Sequence, residues 1–175
     1  LYSSAASDVY KRQIYQTINE LKNSDSKGCL IITDEIVDDD NMLQNAVVYR
    51  PPSLVVGVGL HWDTAKDTIK DGLMSCMNKF KLGEKSIARF VSIKKEKDVD
   101  GLVELAKEMS IPIQYFEKEE LASIDIPNPS KTVQTFEGTP SVSEAAAIKS
   151  SEGKLVVEKQ KFPPDLTIAI ARIPN

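Results

Sequence analysis

The chain has 175 residues, 41% of them hydrophobic and 27% charged, with 22 Lys and Arg against 26 Asp and Glu and a net charge of −4. A length of this order specifies one domain, or one domain with part of another, and buries enough surface for a core without metal or disulfide staples. The acidic balance excludes a global electrostatic case for nucleic acid or an anionic membrane, so any anionic ligand has to meet a local cluster of Lys and Arg.

Residues Leu1 to Gln13 are small, polar and aperiodic, and read as a non-native or disordered tail with the true N-terminus missing. Ile14, Ile18 and Leu21 are spaced for a short amphipathic helix, which Asn23 to Gly28 ends. Cys29-Leu30-Ile31-Ile32-Thr33 is a compact apolar run that predicts a buried strand, followed by an acidic loop from Asp34 to Asn41. Val47-Val48-Tyr49 leads into Arg50-Pro51-Pro52. There two prolines fix φ, remove two donors and push Arg50 towards extended geometry, so a boundary separates residues 14–52 from 53–175.

Beyond that boundary the pattern is regular. Leu54-Val55-Val56-Gly57-Val58 has almost no polar residue, as expected for a strand covered on both faces. It runs into Gly59, and Asp63-Thr64 are candidate caps for the next helix. Ile69, Leu73, Cys76, Met77 and Phe80 form one stripe of that helix, and Gly83 stops it. Ile87 to Val91 is a second strand, and Val99, Leu102, Val103, Ala106 and Met109 share the face of a second helix. Pro112 opens a short strand through Phe116, with a helical turn or two from Glu117 to Ser123. Ser130 to Phe136 is ambiguous. Gly138-Thr139-Pro140-Ser141 introduces a helix through Ala145, Ala146, Ala147 and Ile148. Lys154 to Glu158 and Leu166 to Ala171 finish as two strands. This alternation specifies an α/β three-layer sandwich with a mainly parallel sheet and a C-terminal antiparallel hairpin.

Two widely spaced cysteines, Cys29 and Cys76, are neither a disulfide framework nor a zinc motif, and read as buried free thiols suited to a reducing compartment. No apolar run reaches the ~18 residues of a membrane span, and no secretory leader is visible. The expectation is a soluble, cytoplasmic protein without nucleic-acid or membrane partners.

Three segments carry candidate chemistry. In Gly57-Val58-Gly59-Leu60-His61-Trp62-Asp63-Thr64 the glycines admit a ligand to the backbone, and the following helix offers unpaired N–H groups to an anion. Ligands of open α/β sheets bind at such carboxyl ends of strands. The plain alternative is a tight turn, since the third glycine of a dinucleotide fingerprint is absent. His61, the only histidine, reads as a proton donor, an axial metal ligand or a structural residue. Trp62 offers an apolar wall for a flat ring or a staple for the helix. Ser92-Ile93-Lys94-Lys95-Glu96-Lys97-Asp98 closes the second strand on the same sheet edge, where Lys94 and Lys95 hold carboxylates as point charges or form a solvated loop. In Glu137 to Ala147, Ser141 or Ser143 can cap a helix of small residues that packs closely or leaves room for something large. Glu144 is its early ionisable residue, either a general acid–base or a complement to the helix dipole. No Ser-His-Asp order, carboxylate pair or metal box is present. The residues alone specify an anion-tolerant site on an α/β domain and no reaction.

The same segments resemble a known family. Val55-Val56-Gly57-Val58-Gly59 with Asp63-Thr64, Val91-Ser92-Ile93-Lys94-Lys95 with Gly101-Leu102-Val103-Glu104-Leu105-Ala106, and Thr139-Pro140-Ser141-Val142-Ser143-Glu144-Ala145-Ala146-Ala147 are similar to the C-terminal domain of CbiG and to its stand-alone relative CobE. Leu155-Val156-Val157 and Leu166-Thr167-Ile168-Ala169-Ile170-Ala171 match the terminal strands, and the resemblance covers Ser53 to Arg172. Leu60-His61 stand where the family commonly has Cys-Arg. Ile31-Ile32-Thr33-Asp34 and Tyr49-Arg50-Pro51-Pro52-Ser53-Leu54 resemble the end of the CbiG central region, so residues 14–52 read as its remnant and linker.

The resemblance implies cobalamin biosynthesis by the anaerobic, cobalt-early route. The implied parent enzyme is a cobalt-precorrin-5A hydrolase that opens a ring lactone with loss of acetaldehyde. It also implies no cofactor of the protein's own, because the cobalt belongs to the substrate. The implied partners are the carboxylate-rich cobalt-precorrin and other enzymes of the pathway. On that reading Glu144 and Lys94 are the catalytic candidates, and Gly57, Gly59, His61, Trp62, Asp63, Thr64, Lys95 and Ser143 the substrate-binding ones, with the fragment alone incomplete. A non-catalytic CobE-like corrinoid carrier and a nucleotide-binding or purely structural module are the competing readings.

Overall fold

The computed structural model describes residues 13–24, 27–128 and 141–174. The tail 1–12, the ambiguous stretch Ser130–Phe136 and the turn Glu137–Pro140 lie outside the described residues. The chain divides into two compact units, one of Leu1–Ile31 and Asp38–Tyr49, the other of Ile32–Val37 and Arg50–Asn175.

The first unit carries α1 (Ile18–Lys22), β1 (Cys29–Ile32), α2 (Asp40–Leu43) and β2 (Ala46–Tyr49). α1 starts on a capping box, the Thr17 hydroxyl accepting from the Glu20 N–H and the Glu20 carboxylate from the Thr17 N–H. It is shorter than the apolar spacing predicts, and Ile14 lies outside it and is exposed. Asp39 caps α2 by accepting from the Met42 N–H, so the expected acidic loop ends in a helical turn. β1 and β2 pair as a two-stranded sheet. The expected buried strand is a correction: Ile31 is buried, whereas Leu30 and Ile32 are 61% and 63% exposed. Alternation puts those two on the opposite face from Ile31, and that face is open.

The second unit holds β3 (Leu54–Leu60), α3 (Lys66–Lys79), β4 (Ile87–Ile93), α4 (Asp100–Met109), β5 (Ile113–Phe116), α5 (Lys118–Ala122), α6 (Val142–Ser151), β6 (Lys154–Phe162) and β7 (Leu166–Arg172). Five strands form one sheet in the order β5-β4-β3-β7-β6. β3, β4 and β5 run parallel, while β7 lies antiparallel to both β3 and β6. Right-handed strand–helix–strand connections require the helices to lie on the faces. Leu54, Val56, Val58 and Leu60 of β3 join Ile69, Leu73, Cys76 and Met77 of α3 and Leu102 and Leu105 of α4 in one cluster. Val55 of β3 joins Val91, Ile93, Leu121 and the α6 residues Val142, Ala145 and Ala146 in a second cluster. The architecture is therefore the expected three-layer α/β sandwich with its terminal hairpin.

Three local expectations differ. Asp63 and Thr64 do not cap α3, whose N-cap is Ala65 without a side-chain bond. α3 ends at Lys79, and the chain turns at Lys81, with φ of 54°, before reaching Gly83. Cys29 is only partly buried, while Cys76 is buried in the α3 stripe. α6 settles the question its composition raised. It lies so close to the sheet that a Cβ on Gly57 would stand 1.9 Å from the Ser143 carbonyl oxygen.

The segment Ile32–Val37 is held to the rest of its unit by a charged clamp. Asp34 is 7% exposed and takes a bidentate pair from Arg172, whose Nε and Nη2 each lie 2.7 Å from its oxygens. The Ser53 hydroxyl donates to the same carboxylate at 2.7 Å, and the Gly83 N–H donates to the Asp34 carbonyl at 2.6 Å.

Candidate functional site

β3 and β4 end side by side, and the turns that leave them frame a hollow. β3 gives way to His61-Trp62-Asp63-Thr64-Ala65, tied back on itself by the Thr64 hydroxyl, which donates to the His61 carbonyl at 3.0 Å. β4 is locked to β3 by the Ser92 hydroxyl, which donates to the Val58 carbonyl at 2.8 Å from a fully buried position. Lys95-Glu96-Lys97-Asp98 then crosses to α4. Gly101, in the first turn of α4, lets the two turns touch: a Cβ there would come 2.3 Å from the Thr64 carbonyl oxygen. The hollow between them has a volume of about 720 Å³, within the size range of small-molecule sites.

Of the residues singled out by sequence, Trp62, Asp63, Thr64 and Lys95 line this hollow. Trp62 is 69% exposed and stands beside the His61 ring at 5.7 Å between centroids. His61 Nδ1 lies 2.7 Å from an Asp63 oxygen, and that hydrogen bond holds the Asp63 carboxyl below its usual range. The sequence missed Lys66, Asp100, Gly101 and Glu104 as lining residues. The glycine opening α4 was the available signal, because a helix start has no need of one unless something approaches it.

The charge around the hollow is not the expected one. Asp63, Glu96, Asp98, Asp100 and Glu104 outnumber Lys66, Lys95 and Lys97. Lys66 is committed to Glu108 at 2.9 Å, and Lys97 stands 3.6 Å from Asp100. Lys66 and Lys70 together hold Glu108 down at about 2. The cations lining the hollow are Lys66, Lys95 and Lys97, and the start of α3 adds N–H groups that suit an anion.

The remaining candidates lie elsewhere. Lys94 donates to Glu117 at 2.6 Å, which raises its pKa, and it does not line the hollow. Gly57 and Gly59 face α6: a Cβ on Gly59 would be 2.5 Å from Thr167 Oγ1 and 3.7 Å from the Ser143 N. The closeness of α6 accounts for Gly57, and the Thr167 side chain on the neighbouring β7 accounts for Gly59. Ser143 is fully buried, and Ser141, the N-cap of α6, makes no side-chain cap bond.

Glu144 is fully buried on α6. Its Oε1 accepts from Asn128 Nδ2 at 2.8 Å and from the Lys159 N–H at 3.1 Å. Its Oε2 and the hydroxyls of Ser141 and Ser143 have no hydrogen-bond partner among the described residues. Burial pushes the Lys159 ammonium pKa down, against the pull of Glu144. Asn128 and Lys159 were not legible in sequence, because they reach Glu144 from a loop and from β6. Among the described residues, no group of three or more His, Cys, Asp and Glu is arranged to hold a metal ion, and no helix is long and apolar enough to cross a membrane.

Residues 54–171, the whole of the sandwich, match the model of the Cobalamin synthesis G C-terminus family. The chain belongs to that family. A cobalt-precorrin-5A hydrolase of Priestia megaterium is 30% identical over 162 residues, which make up 91% of this chain and 43% of that protein. The chain thus spans less than half the length of that relative. Among solved structures, CobE, a protein from the cobalamin biosynthetic pathway, superposes with a TM-score of 0.67 at 22% identity, covering 70% of this chain and 95% of that one. The cobalamin biosynthesis protein chiG of Agrobacterium tumefaciens gives 0.54 at 25% identity, with 70% and 99% covered. A cobalamin biosynthesis protein G homolog from Sulfolobus solfataricus gives 0.59 at 19% identity, with 99% of this chain and 61% of that one covered. As a Cobalamin synthesis G C-terminus domain, the sandwich carries its hollow at the edge where open α/β sheets take ligands.

Proposed function

We propose that this chain is the C-terminal part of a cobalt-precorrin-5A hydrolase and that its hollow holds one edge of the cobalt-corrinoid substrate. The observation that carries the reading is the match of 91% of the chain to such a hydrolase at 30% identity. The hollow between the β3 and β4 turns, with the exposed Trp62 on its wall, supports that reading. An indole face suits a flat macrocycle, and Lys95 with the α3 amides suits the carboxylates on its rim. In the hydrolase reaction, water opens the lactone to a carboxylate and a hydroxyethyl group. Breaking the bond between that group and the ring releases acetaldehyde, and the ring carbon takes up a proton. The cobalt enters as part of the substrate.

Titration of the chain with cobalt-precorrin-5A, followed by corrinoid absorbance, tests the site. Trp62→Ala and Lys95→Ala are each expected to weaken binding roughly ten-fold, the scale of one aromatic face or one charge-assisted contact. Unchanged affinity in both variants overturns the site and leaves the family membership untouched.

A second reading, a CobE-like corrinoid carrier without turnover, is favoured by one observation. Lys94 and Glu144, the candidates for moving protons, stand outside the hollow, one paired with Glu117 and the other buried beside Asn128. Both readings expect little or no acetaldehyde from this chain alone in a coupled dehydrogenase assay. Full acetaldehyde release by the isolated chain would sink the carrier reading and place the whole reaction in this chain. The two part when the remainder of a hydrolase is added: the hydrolase reading expects acetaldehyde, the carrier reading none.

A further inference from the structure

The described residues of the first unit form no core of their own. Among its described residues Ile31 is the buried hydrophobic one, and neither α1 nor α2 buries a residue. Its sheet has two strands, fewer than a sheet needs to persist in water unsupported. The Cys29 N–H donates to the Asn45 carbonyl at 3.1 Å and brings the beginnings of β1 and β2 together. On these strands Leu30, Val47 and Tyr49 are 61%, 68% and 54% exposed. Val47 and Tyr49 are two residues apart and share a face, and Leu30 occupies the corresponding open face of β1. Large apolar side chains gathered on an open sheet face mark an interface.

The extent of the relatives bears on what could cover it. CobE and chiG are matched over 95% and 99% of their own lengths, yet each covers only 70% of this chain. The Sulfolobus solfataricus homolog covers 99% of this chain while 39% of that protein stays unmatched, its matched share being 61%. The Priestia megaterium hydrolase likewise covers 91% of this chain with more than half of itself outside the match. Nearly full coverage of this chain accompanies the longer relatives and not the shorter ones.

We infer that the Leu30–Val47–Tyr49 face of the β1–β2 sheet is the docking surface for the part of the hydrolase polypeptide that this chain does not span, which contributes the apolar layer the small sheet lacks. The inference rests on the reading of the chain as part of a longer hydrolase, but its test reads docking and not turnover.

The unmatched part of the Priestia megaterium hydrolase is joined to this chain in the hydrolase's own order, and amide hydrogen exchange is compared with that of the chain alone. Exchange in β1 and β2 is expected to slow at least ten-fold in the fusion, and the double variant Leu30→Asp/Tyr49→Asp is expected to abolish that slowing. The variant should leave the exchange of β3, β4 and β7 unchanged, which separates lost docking from general unfolding. Equal exchange in chain and fusion, or slowing that survives the double variant, overturns the proposal. So does a concentration-dependent dimer of the chain alone that the double variant dissolves, because the face then belongs to a second copy. A fusion that docks yet releases no acetaldehyde would count against the hydrolase reading and leave this one standing.

Discussion

At Gly57 one methyl group decides whether the third layer fits. The Ser143 carbonyl is backbone, so a Cβ 1.9 Å from it has to push α6 away from β3. Gly57→Ala is expected to destabilise the sandwich by about 3 kcal/mol, read as a lowered midpoint in urea unfolding, and a midpoint at the wild-type value would remove this account of the glycine. The thiols divide in a similar way. Burial pushes Cys76 up to about 11, whereas Cys29 is partly exposed. Iodoacetamide at neutral pH should therefore label Cys29 in the folded chain and Cys76 only after denaturant is added. The glycine pattern signals a close approach to the backbone without saying what approaches. What approaches Gly57 is a helix far along the chain, and a single sequence does not display that pairing.

At the level of elements, α3 and α4 are joined across their exposed sides by Lys66 and Lys70, which straddle Glu108 at 2.9 and 2.5 Å. The paired lysines lower the Glu108 pKa from 4.5 to about 2 in the folded protein. A carboxylate depressed by folding contributes stability above its ordinary pKa and loses it as the pH falls towards the depressed value. The melting temperature should drop between about pH 4.5 and 2, and Glu108→Gln should flatten that part of the profile. All three side chains are a third or more exposed, so the effect is small and weakens further in salt. The helices themselves were legible: the α3 stripe joins the core, and at α4 Val99, Leu102, Ala106 and Met109 do so, with Leu105 there in place of the expected Val103. Their ends were not, because Ala65 and Val99 start them without a side-chain bond. β1 was misread for a related reason. An apolar run predicts burial, but what buries a strand is the number of layers around it, and that is a property of the assembly.

For the molecule as a whole, the clamp between Asp34 and Arg172 ties the segment before Arg50 to the end of the last strand. Asp34→Ala leaves Arg172 without its main partner, with Glu35 at 3.1 Å as the remaining one. A loss of about 2 kcal/mol in global unfolding is expected, and Arg172→Ala made in the Asp34→Ala background should add little. The alternation of strand and helix made the layer order readable from sequence, and the hollow falls at the sheet edge that this order implies. The charge of the hollow was not readable in the same way. Lysines close together in sequence suggested a cationic rim, while the acidic residues that outnumber them arrive partly from the start of α4.

The position of β7 has a consequence for how the protein is made. β7 fills the slot between β3 and β6, with Leu54 opposite Arg172 and Leu60 opposite Leu166. During synthesis β3, β4 and β5 therefore emerge before the strand that pairs with the other flank of β3. Nascent chains arrested short of Leu166 should be cut readily by protease, and protection should arrive abruptly once Arg172 clears the ribosome. Until that moment the sheet offers an open template to other chains, which makes β7 the guard against aggregation.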